Sequence, residues 1–267
     1  MTSPSLNTNE IEPLVRARGI AKEYPGVRAL APISFTVAQG ERVALVGASG
    51  SGKTTLLSLM AGMVQPDAGT ISLDGRDLSR MRPGRELAGL VGLVNQGFDL
   101  VPQLPVIHNA LAGRLGEWGL SRSLVSLFWP RDRQMAADIL DRLGIADKIG
   151  QRTSHLSGGE LQRLAIARIM VQSPRLILAD EPVSSLDPAR AEDILEILTG
   201  LVAASGKTLV ASIHSPPLIR RYFSRVIGLR DGIFQFDVPE LEIDDAALGQ
   251  LYALSGNGGN GVGRSLA

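Results

Sequence analysis

The sequence predicts an α/β fold in which buried strands of a mainly parallel sheet alternate with helices. Short, continuous apolar runs support this prediction, because a strand covered on both faces of a parallel sheet is apolar throughout. Such runs occupy Arg42–Val46, Leu176–Ala179 and residues 208–213. The chain of 267 residues can bury one large core, and its 44% hydrophobic and 20% charged residues are ordinary for a globular protein.

The elements around these runs follow in order along the chain. Residues 53–62 form a predicted helix directly after the first run. Residues 69–75 alternate between apolar and polar side chains and end in an Asp-Gly pair, as an antiparallel strand with a turn does. Residues 225–229 form a further predicted strand, and Asp231-Gly232 after them indicates a hairpin.

A long helix and a helical insertion complete the predicted elements. Asp187 is a suitable N-cap and Pro188 a suitable first helical residue, so we predict a helix from there to about Ala203. Residues 106–172 are mostly helical in pattern and interrupt the alternation of strands and helices. We therefore predict a helical insertion over about residues 97–172.

Two terminal segments that are predicted to be flexible flank one predicted domain over residues 14–254. Residues 1–13 are rich in Ser, Thr, Asn and Pro, and residues 255–267 are rich in Gly, so both segments are predicted to be flexible. The first segment lacks the apolar stretch of a secretory signal. No apolar run reaches the roughly 20 residues needed to cross a bilayer, so we expect any membrane role to depend on a partner.

Composition excludes several kinds of site. The sequence contains no Cys, which excludes disulfides, thiolate metal sites and cysteine nucleophiles. Lys+Arg and Asp+Glu number 27 each, so the overall charge argues against a nucleic-acid partner.

A phosphate-binding motif lies between the first predicted strand and the first predicted helix. Its glycines allow backbone N–H groups to point at phosphate oxygens beside a helix N-terminus. We expect Lys53 to contact the β- and γ-phosphates of ATP and Thr54 to bind Mg²⁺, with Thr55 in the same loop. A glycine-rich surface turn is the alternative, but it does not explain the position between strand and helix. The motif fits G-x-x-x-x-G-K-[ST] and comprises Gly47, Ala48, Ser49, Gly50, Ser51, Gly52, Lys53 and Thr54.

Two adjacent carboxylates follow the apolar run Leu176–Ala179. Ligands of open α/β sheets bind at the carboxyl ends of the strands, where Asp180 and Glu181 are predicted to lie. We expect Asp180 to bind Mg²⁺ through water and Glu181 to be the general base for the attacking water. A solvated loop pair would be the simpler interpretation if the phosphate motif were absent.

Two further polar residues follow predicted strands. His214 comes directly after residues 208–213, which favours contact with the γ-phosphate over a purely structural role. Gln96 follows the strand Val91–Val94 and is a candidate for contact with Mg²⁺ or the attacking water.

A second glycine motif resembles the signature motif of ATP-binding-cassette (ABC) ATPases. It precedes a predicted helix over residues 161–172 and places Ser157 and two glycines at the N-terminus of that helix. An ordinary Ser N-cap is the alternative, but it does not explain why the other family elements occur in order over residues 14–237. The motif is Leu156-Ser157-Gly158-Gly159-Glu160-Leu161-Gln162-Arg163.

The resemblance implies a P-loop NTPase core of the ABC type with an antiparallel β subdomain and a helical insertion subdomain. It also implies that Tyr24 stacks on adenine, that Gln96 is the Q-loop glutamine and that His214 is the switch histidine. In this family each ATP lies between the P-loop of one subunit and the signature of another. A homodimer is therefore implied, in which the residues directed at the opposite subunit are Ser157, Gly158, Gly159 and Asp187.

Further segments resemble the ATPase subunits of phosphonate importers: residues 96–101, 111–116, 123–129 and 151–155. Such an importer implies two membrane permease subunits, an external solute-binding protein and a peripheral position on the cytoplasmic face of the inner membrane. Importers of phosphate, phosphite or another small solute share many of these features. The phosphonate-import subgroup usually has polar and acidic residues after the histidine, where this chain has Ser215-Pro216-Pro217.

Other roles for such an ATPase stay open at this point. One is a soluble complex such as those associated with carbon–phosphorus bond cleavage, and another is a cassette protein of repair or translation. The second class usually has two cassettes or zinc modules, whereas this chain has one P-loop and no Cys. Residues 118–129 contain both tryptophans and belong either to local core or to a surface that contacts the membrane subunits.

Overall fold

The structure is a computed structural model that describes residues 12–82, 84–95, 97–116, 130–184 and 186–252. Several predictions lie outside the described residues. These are the position of Gln96, the segment 118–129, the Gly-rich segment 255–267 and most of the N-terminal segment 1–13.

The strands form two sheets. Their bounds are β1 (Val15–Tyr24), β2 (Val27–Val37), β3 (Arg42–Val46), β4 (Ala68–Leu73), β5 (Arg76–Asp77), β6 (Val91–Val94), β7 (Leu176–Ala179), β8 (Thr208–Ser212), β9 (Arg225–Arg230) and β10 (Ile233–Pro239).

The α-helices lie between these strands and after the last one. Their bounds are α1 (Lys53–Met60), α2 (Arg85–Ala88), α3 (Val106–Leu111), α4 (Pro130–Arg142), α5 (Gly158–Gln172), α6 (Pro188–Ala204), α7 (Pro216–Tyr222) and α8 (Asp245–Tyr252). Short 3-10 turns occupy Leu78–Arg80, Ala112–Arg114, Ala146–Lys148, Thr153–His155 and Glu240–Glu242.

The larger sheet has six strands in the order β10-β9-β3-β8-β7-β6. All neighbouring strands from β9 to β6 are parallel, and β10 pairs antiparallel with β9 through the Asp231-Gly232 turn. The predicted strands and the predicted hairpin are therefore confirmed. The strand predicted over residues 208–213 ends one residue earlier, at Ser212.

Apolar layers cover both faces of this sheet. Along β7, Ile177 and Ala179 pack into the layer that contains the long helices, whereas Leu176 and Leu178 pack into the opposite layer. Successive side chains of a strand point to opposite faces, so a strand between two cores must be apolar at every position. The continuous apolar runs in the sequence therefore result from the burial of both faces of these strands.

The smaller sheet is antiparallel and has the order β2-β1-β4-β5. Its apolar side, which includes Val15 and Ile71, shares one buried cluster with α1 and with one face of the larger sheet. The alternation predicted over residues 69–75 is confirmed by β4. The sequence patterns did not identify β1 and β2, although these two strands form most of the sheet.

Helices fill the described chain between β6 and β7. Helix α5 is the centre of this group and packs on α3 and α4. It begins at Gly158, three residues before the predicted start, because Ser157 and Glu160 form a complete capping box. Arg163 of α5 pairs with Asp193 of α6 and so connects this helical region with the helices on the larger sheet. Within the described ranges, no helix has the length and apolarity required to span a membrane.

Candidate nucleotide site

The phosphate-binding motif forms the predicted loop between β3 and α1. Gly47 has φ 153° and Gly52 has φ 103°, a backbone region that favours glycine. A Cβ atom on Gly47 would collide with the carbonyl of Leu229 and would lie 2.6 Å from Ser51 Oγ. A Cβ atom on Gly52 would lie 2.6 Å from the carbonyl of Ala29. Both conformation and space therefore require these two glycines.

Lys53 occupies the centre of the loop and is 5% exposed. Its Nζ donates hydrogen bonds to the carbonyls of Gly47 at 2.8 Å and Ala48 at 3.0 Å. Burial lowers the pKa of the Lys53 ammonium, and the negative charges of Glu181 and Asp180 oppose this shift. The structure thus brings together the lysine and the two carboxylates that the sequence separates by more than a hundred residues.

A serine joins the two carboxylate residues to the neighbouring strand. Ser212 ends β8, is completely buried, and donates from Oγ to Asp180 Oδ1 at 2.8 Å. The Ser212 Oγ atom also accepts a hydrogen bond from the backbone N–H of Glu181 at 2.6 Å. Ser212 was not predicted as a site residue. The signal that could have identified it is a hydroxyl at the end of an otherwise apolar buried run.

Glu181 and His214 form a direct contact. Nε2 of His214 lies 3.0 Å from Oε1 of Glu181. This hydrogen bond is the main cause of a lowered pKa for the Glu181 carboxyl group, so the group is ionised at neutral pH. Glu181 also has φ 50°, a left-handed backbone that costs on the order of 1–3 kcal/mol and is concentrated at functional sites.

Replacing Ser212 by alanine is expected to lower the free energy of unfolding by about 1–3 kcal/mol. The substitution leaves the Glu181 N–H and the Asp180 carboxylate without their buried partner. Denaturant titration measures the loss. Ser205→Ala is the control, because Ser205 Oγ donates to the Leu201 carbonyl at an exposed position, and a change within about 0.5 kcal/mol is expected. Equal stabilities of the two variants would contradict a structural role for the Ser212 bridge.

The signature motif begins helix α5. Ser157 is the N-cap, its backbone N–H donates to Glu160 Oε2 at 2.8 Å, and its Oγ donates to the same oxygen at 2.8 Å. Neither Gly158 nor Gly159 has a positive φ. A Cβ atom on either glycine would meet no atom within 4 Å in the described part of the chain. The fold of this chain alone therefore does not explain why both positions are glycine.

The other predicted site residues lie at the ends of elements. Tyr24 ends β1 with 43% of its surface exposed, and Lys22 Nζ lies 5.6 Å from its ring centroid. Asp187 is the N-cap of α6, as predicted, and accepts the backbone N–H of Arg190 at 3.2 Å. Thr54 is exposed in the first turn of α1. The prolines after His214 begin α7 at Pro216 and leave the histidine outside that helix.

Comparison with known proteins identifies the family of this chain. Residues 30–184 match the ABC transporter family. The chain is 49% identical over 230 residues to the phosphonates import ATP-binding protein PhnC 1 of Pseudomonas aeruginosa, covering 85% of this chain and 86% of the relative. It is 44% identical over 237 residues to the phosphonates import ATP-binding protein PhnC of Pseudomonas putida, covering 88% of each chain.

Solved structures agree with these relatives. A dimeric bacterial ABC transporter cassette is 28% identical, with a TM-score of 0.75 over 85% of this chain and 98% of that chain. A dimeric ATP-binding cassette in a post-hydrolysis state bound to ADP and Pi is 27% identical, with a TM-score of 0.74 over 85% and 98% of the two chains. The predicted fold class is confirmed. The chain belongs to the ABC transporter family and is the nucleotide-binding ATPase subunit of such a transporter.

Proposed function

We propose that this ATPase binds and hydrolyses Mg-ATP to energise the import of phosphonate. The observation that supports the substrate is 49% identity to a phosphonates import ATP-binding protein over 85% of this chain. The nucleotide site itself contacts only ATP, so it does not select the transported solute.

Nucleotide recognition is assigned to two regions of the chain. Tyr24 stacks on adenine from the exposed end of β1, and the loop from Gly47 to Thr55 surrounds the phosphates. Lys53 contacts the β- and γ-phosphates after exchanging its hydrogen bonds to the loop carbonyls for bonds to phosphate oxygens. A buried ammonium group that already faces the loop needs little reorganisation to do so.

The residues present fit a magnesium ion. Mg²⁺ prefers oxygen ligands and keeps several waters, and the site provides the hydroxyl of Thr54 and the carboxylate of Asp180. Ser212 fixes the Asp180 carboxylate by a 2.8 Å hydrogen bond. Gln96 is proposed as a third contributor from the loop after β6. The ion supplies positive charge that neutralises the phosphates when it is bound.

Hydrolysis is assigned to the pair Glu181 and His214. The ionised Glu181 carboxylate accepts a proton from the attacking water, as a general base does. His214 orients this carboxylate in the present structure through the 3.0 Å contact. With nucleotide bound, we propose that the imidazole N–H donates to the γ-phosphate in place of Glu181, and that Gln96 contacts the attacking water.

The signature motif is proposed to act on the opposite subunit of a homodimer. Open space beside Gly158 and Gly159 allows the backbone at the N-terminus of α5 to approach a phosphate of the partner subunit. Ser157 adds a hydroxyl at the same helix end, and Asp187 lies in the loop before α6 that contacts the partner. The similar cassette that is dimeric in its solved structure supports this arrangement.

The wider assembly follows from the same family. We propose two membrane permease subunits, an external solute-binding protein and a peripheral position on the cytoplasmic face of the inner membrane. Residues 14–254 are proposed to form one ATPase domain with a helical insertion over about residues 97–172.

Cells that lack this protein are expected to grow on phosphate but not on a phosphonate as the sole phosphorus source. The direct measurement is uptake of a radiolabelled phosphonate by vesicles that contain the binding protein, the permease and this ATPase. ATP should drive phosphonate uptake, whereas the Glu181→Gln protein in the same vesicles should not. ATP-driven uptake of another solute, without phosphonate or a related phosphorus oxyanion, would reject the substrate but not the ATPase.

A further inference from the structure

The C-terminal helix α8 brings a phenol side chain to the nucleotide site from outside the recognised motifs. Leu248 and Leu251 are each 3% exposed and belong to the apolar cluster on the helical face of the larger sheet. These two side chains fix the helix on the sheet. Tyr252, the last residue of α8, therefore has a defined position beside the carboxyl ends of the central strands.

Tyr252 contacts the histidine side of the site. Its hydroxyl lies 3.5 Å from the carbonyl oxygen of Ile213, the residue before the proposed switch histidine. Its ring centroid lies 6.2 Å from that of His214, with 53° between the ring planes.

The chain after β8 stays paired with β3 beyond the end of the larger sheet. Ile213 N–H donates to the carbonyl of Leu45 at 3.0 Å, which joins the chain after β8 to β3. The carbonyl of the same residue accepts from the phenol hydroxyl at 3.5 Å, so Ile213 connects Tyr252 with the strand that leads into the phosphate loop. Burial raises the pKa of Tyr252, an effect that the Gly47 backbone opposes, so the phenol is protonated at neutral pH and can donate.

We propose that Tyr252 is a positioning residue for ATP hydrolysis, which fixes His214 relative to the phosphate loop. This inference rests on the proposed roles of His214 and of the loop that begins at Gly47. Tyr252 does not take part in the chemistry. It acts through the His214 ring and through the backbone on which that ring is mounted.

Replacing Tyr252 by phenylalanine tests this role with little effect on packing. We expect kcat to fall by about three- to tenfold, the rate equivalent of one neutral hydrogen bond. KM for ATP should stay within about twofold, because the lysine and the loop that bind the ground state are unchanged. The chain has three histidines, so proton NMR of the imidazoles can separate them. The His214 resonance, assigned by its loss in His214→Ala, should move, while those of His108 and His155 stay in place.

Tyr222→Phe is the matched control. It removes the same atom from a buried tyrosine whose hydroxyl has no hydrogen-bond partner among the described residues. Both kcat and the His214 resonance should equal those of the parent. A parent-like kcat or a parent-like His214 resonance in Tyr252→Phe, with His214→Ala inactive, would overturn the proposal for Tyr252 alone. Full activity of His214→Ala would overturn the role of His214 and the Tyr252 proposal with it.

Discussion

Replacing Glu181 by glutamine is expected to lower the rate of ATP hydrolysis by about 10²- to 10⁴-fold while ATP still binds. The amide keeps the size of the side chain but is not basic enough to accept a proton from water. Lys53 and the loop glycines are unchanged, so the phosphates keep their contacts. The variant should therefore accumulate as an ATP-bound dimer, which light scattering with and without Mg-ATP would detect.

A second acid-to-amide change serves as the control for Glu181→Gln. Glu41 lies just before β3, at the end of the sheet away from the phosphate loop, and pairs with Arg225 at 3.1 Å. Glu41→Gln should hydrolyse ATP within about twofold of the parent, because this partly buried carboxylate lies at the opposite end of β3 from the phosphate loop. Glu181→Gln activity within a few-fold of the parent would show that another group is the base.

Replacing Lys53 by alanine is expected to weaken ATP binding by about 10- to 100-fold, with a matching loss of activity. The ammonium group is the cation assigned to the β- and γ-phosphates, and a hydrogen bond to a charged group contributes about 1.5–3 kcal/mol. Titration calorimetry with Mg-ATP measures the dissociation constant directly.

Lys207→Ala is the matched control for the binding measurement. Lys207 is also partly buried, with a pKa lowered by that burial, and its Nζ donates to the Pro174 carbonyl at 2.7 Å. It lies just before β8, at the opposite end of that strand from His214. The dissociation constant of the Lys207→Ala protein for ATP should equal that of the parent. An unchanged constant in Lys53→Ala would remove this lysine from the phosphate site.

Residues in contiguous motifs were predicted correctly as local structure. The loop from Gly47 to Lys53 needs its glycines for a local reason, the backbone conformation, and the motif shows this need. The lack of space beside them depends on Leu229 and Ala29, which are distant in sequence. Asp187 caps the helix that it precedes because capping depends on the next three residues. Helix α5 begins earlier than predicted because the Ser157–Glu160 capping box stabilises a first turn that contains two glycines.

Ser212 and Tyr252 could not be predicted in the same way. Each acts on residues that are distant in sequence, and their contacts exist only when neighbouring strands or the last helix are in place. Ser212 meets Asp180 because β8 lies beside β7. Tyr252 meets His214 because α8 returns to the carboxyl ends of the strands. Strand order is a property of the whole chain, which no local pattern contains.

The parallel pairing of β3 has a consequence for the order of folding. Val43 pairs with Val210 on one side and with Arg225 on the other, and both partners come from the last quarter of the 267-residue chain. During synthesis the phosphate loop therefore emerges long before the strands that align it, and contacts of such long sequence separation form slowly. Because β8 and β9 align the phosphate loop, we expect ATP to stabilise the finished subunit by slowing its unfolding and not by speeding its folding.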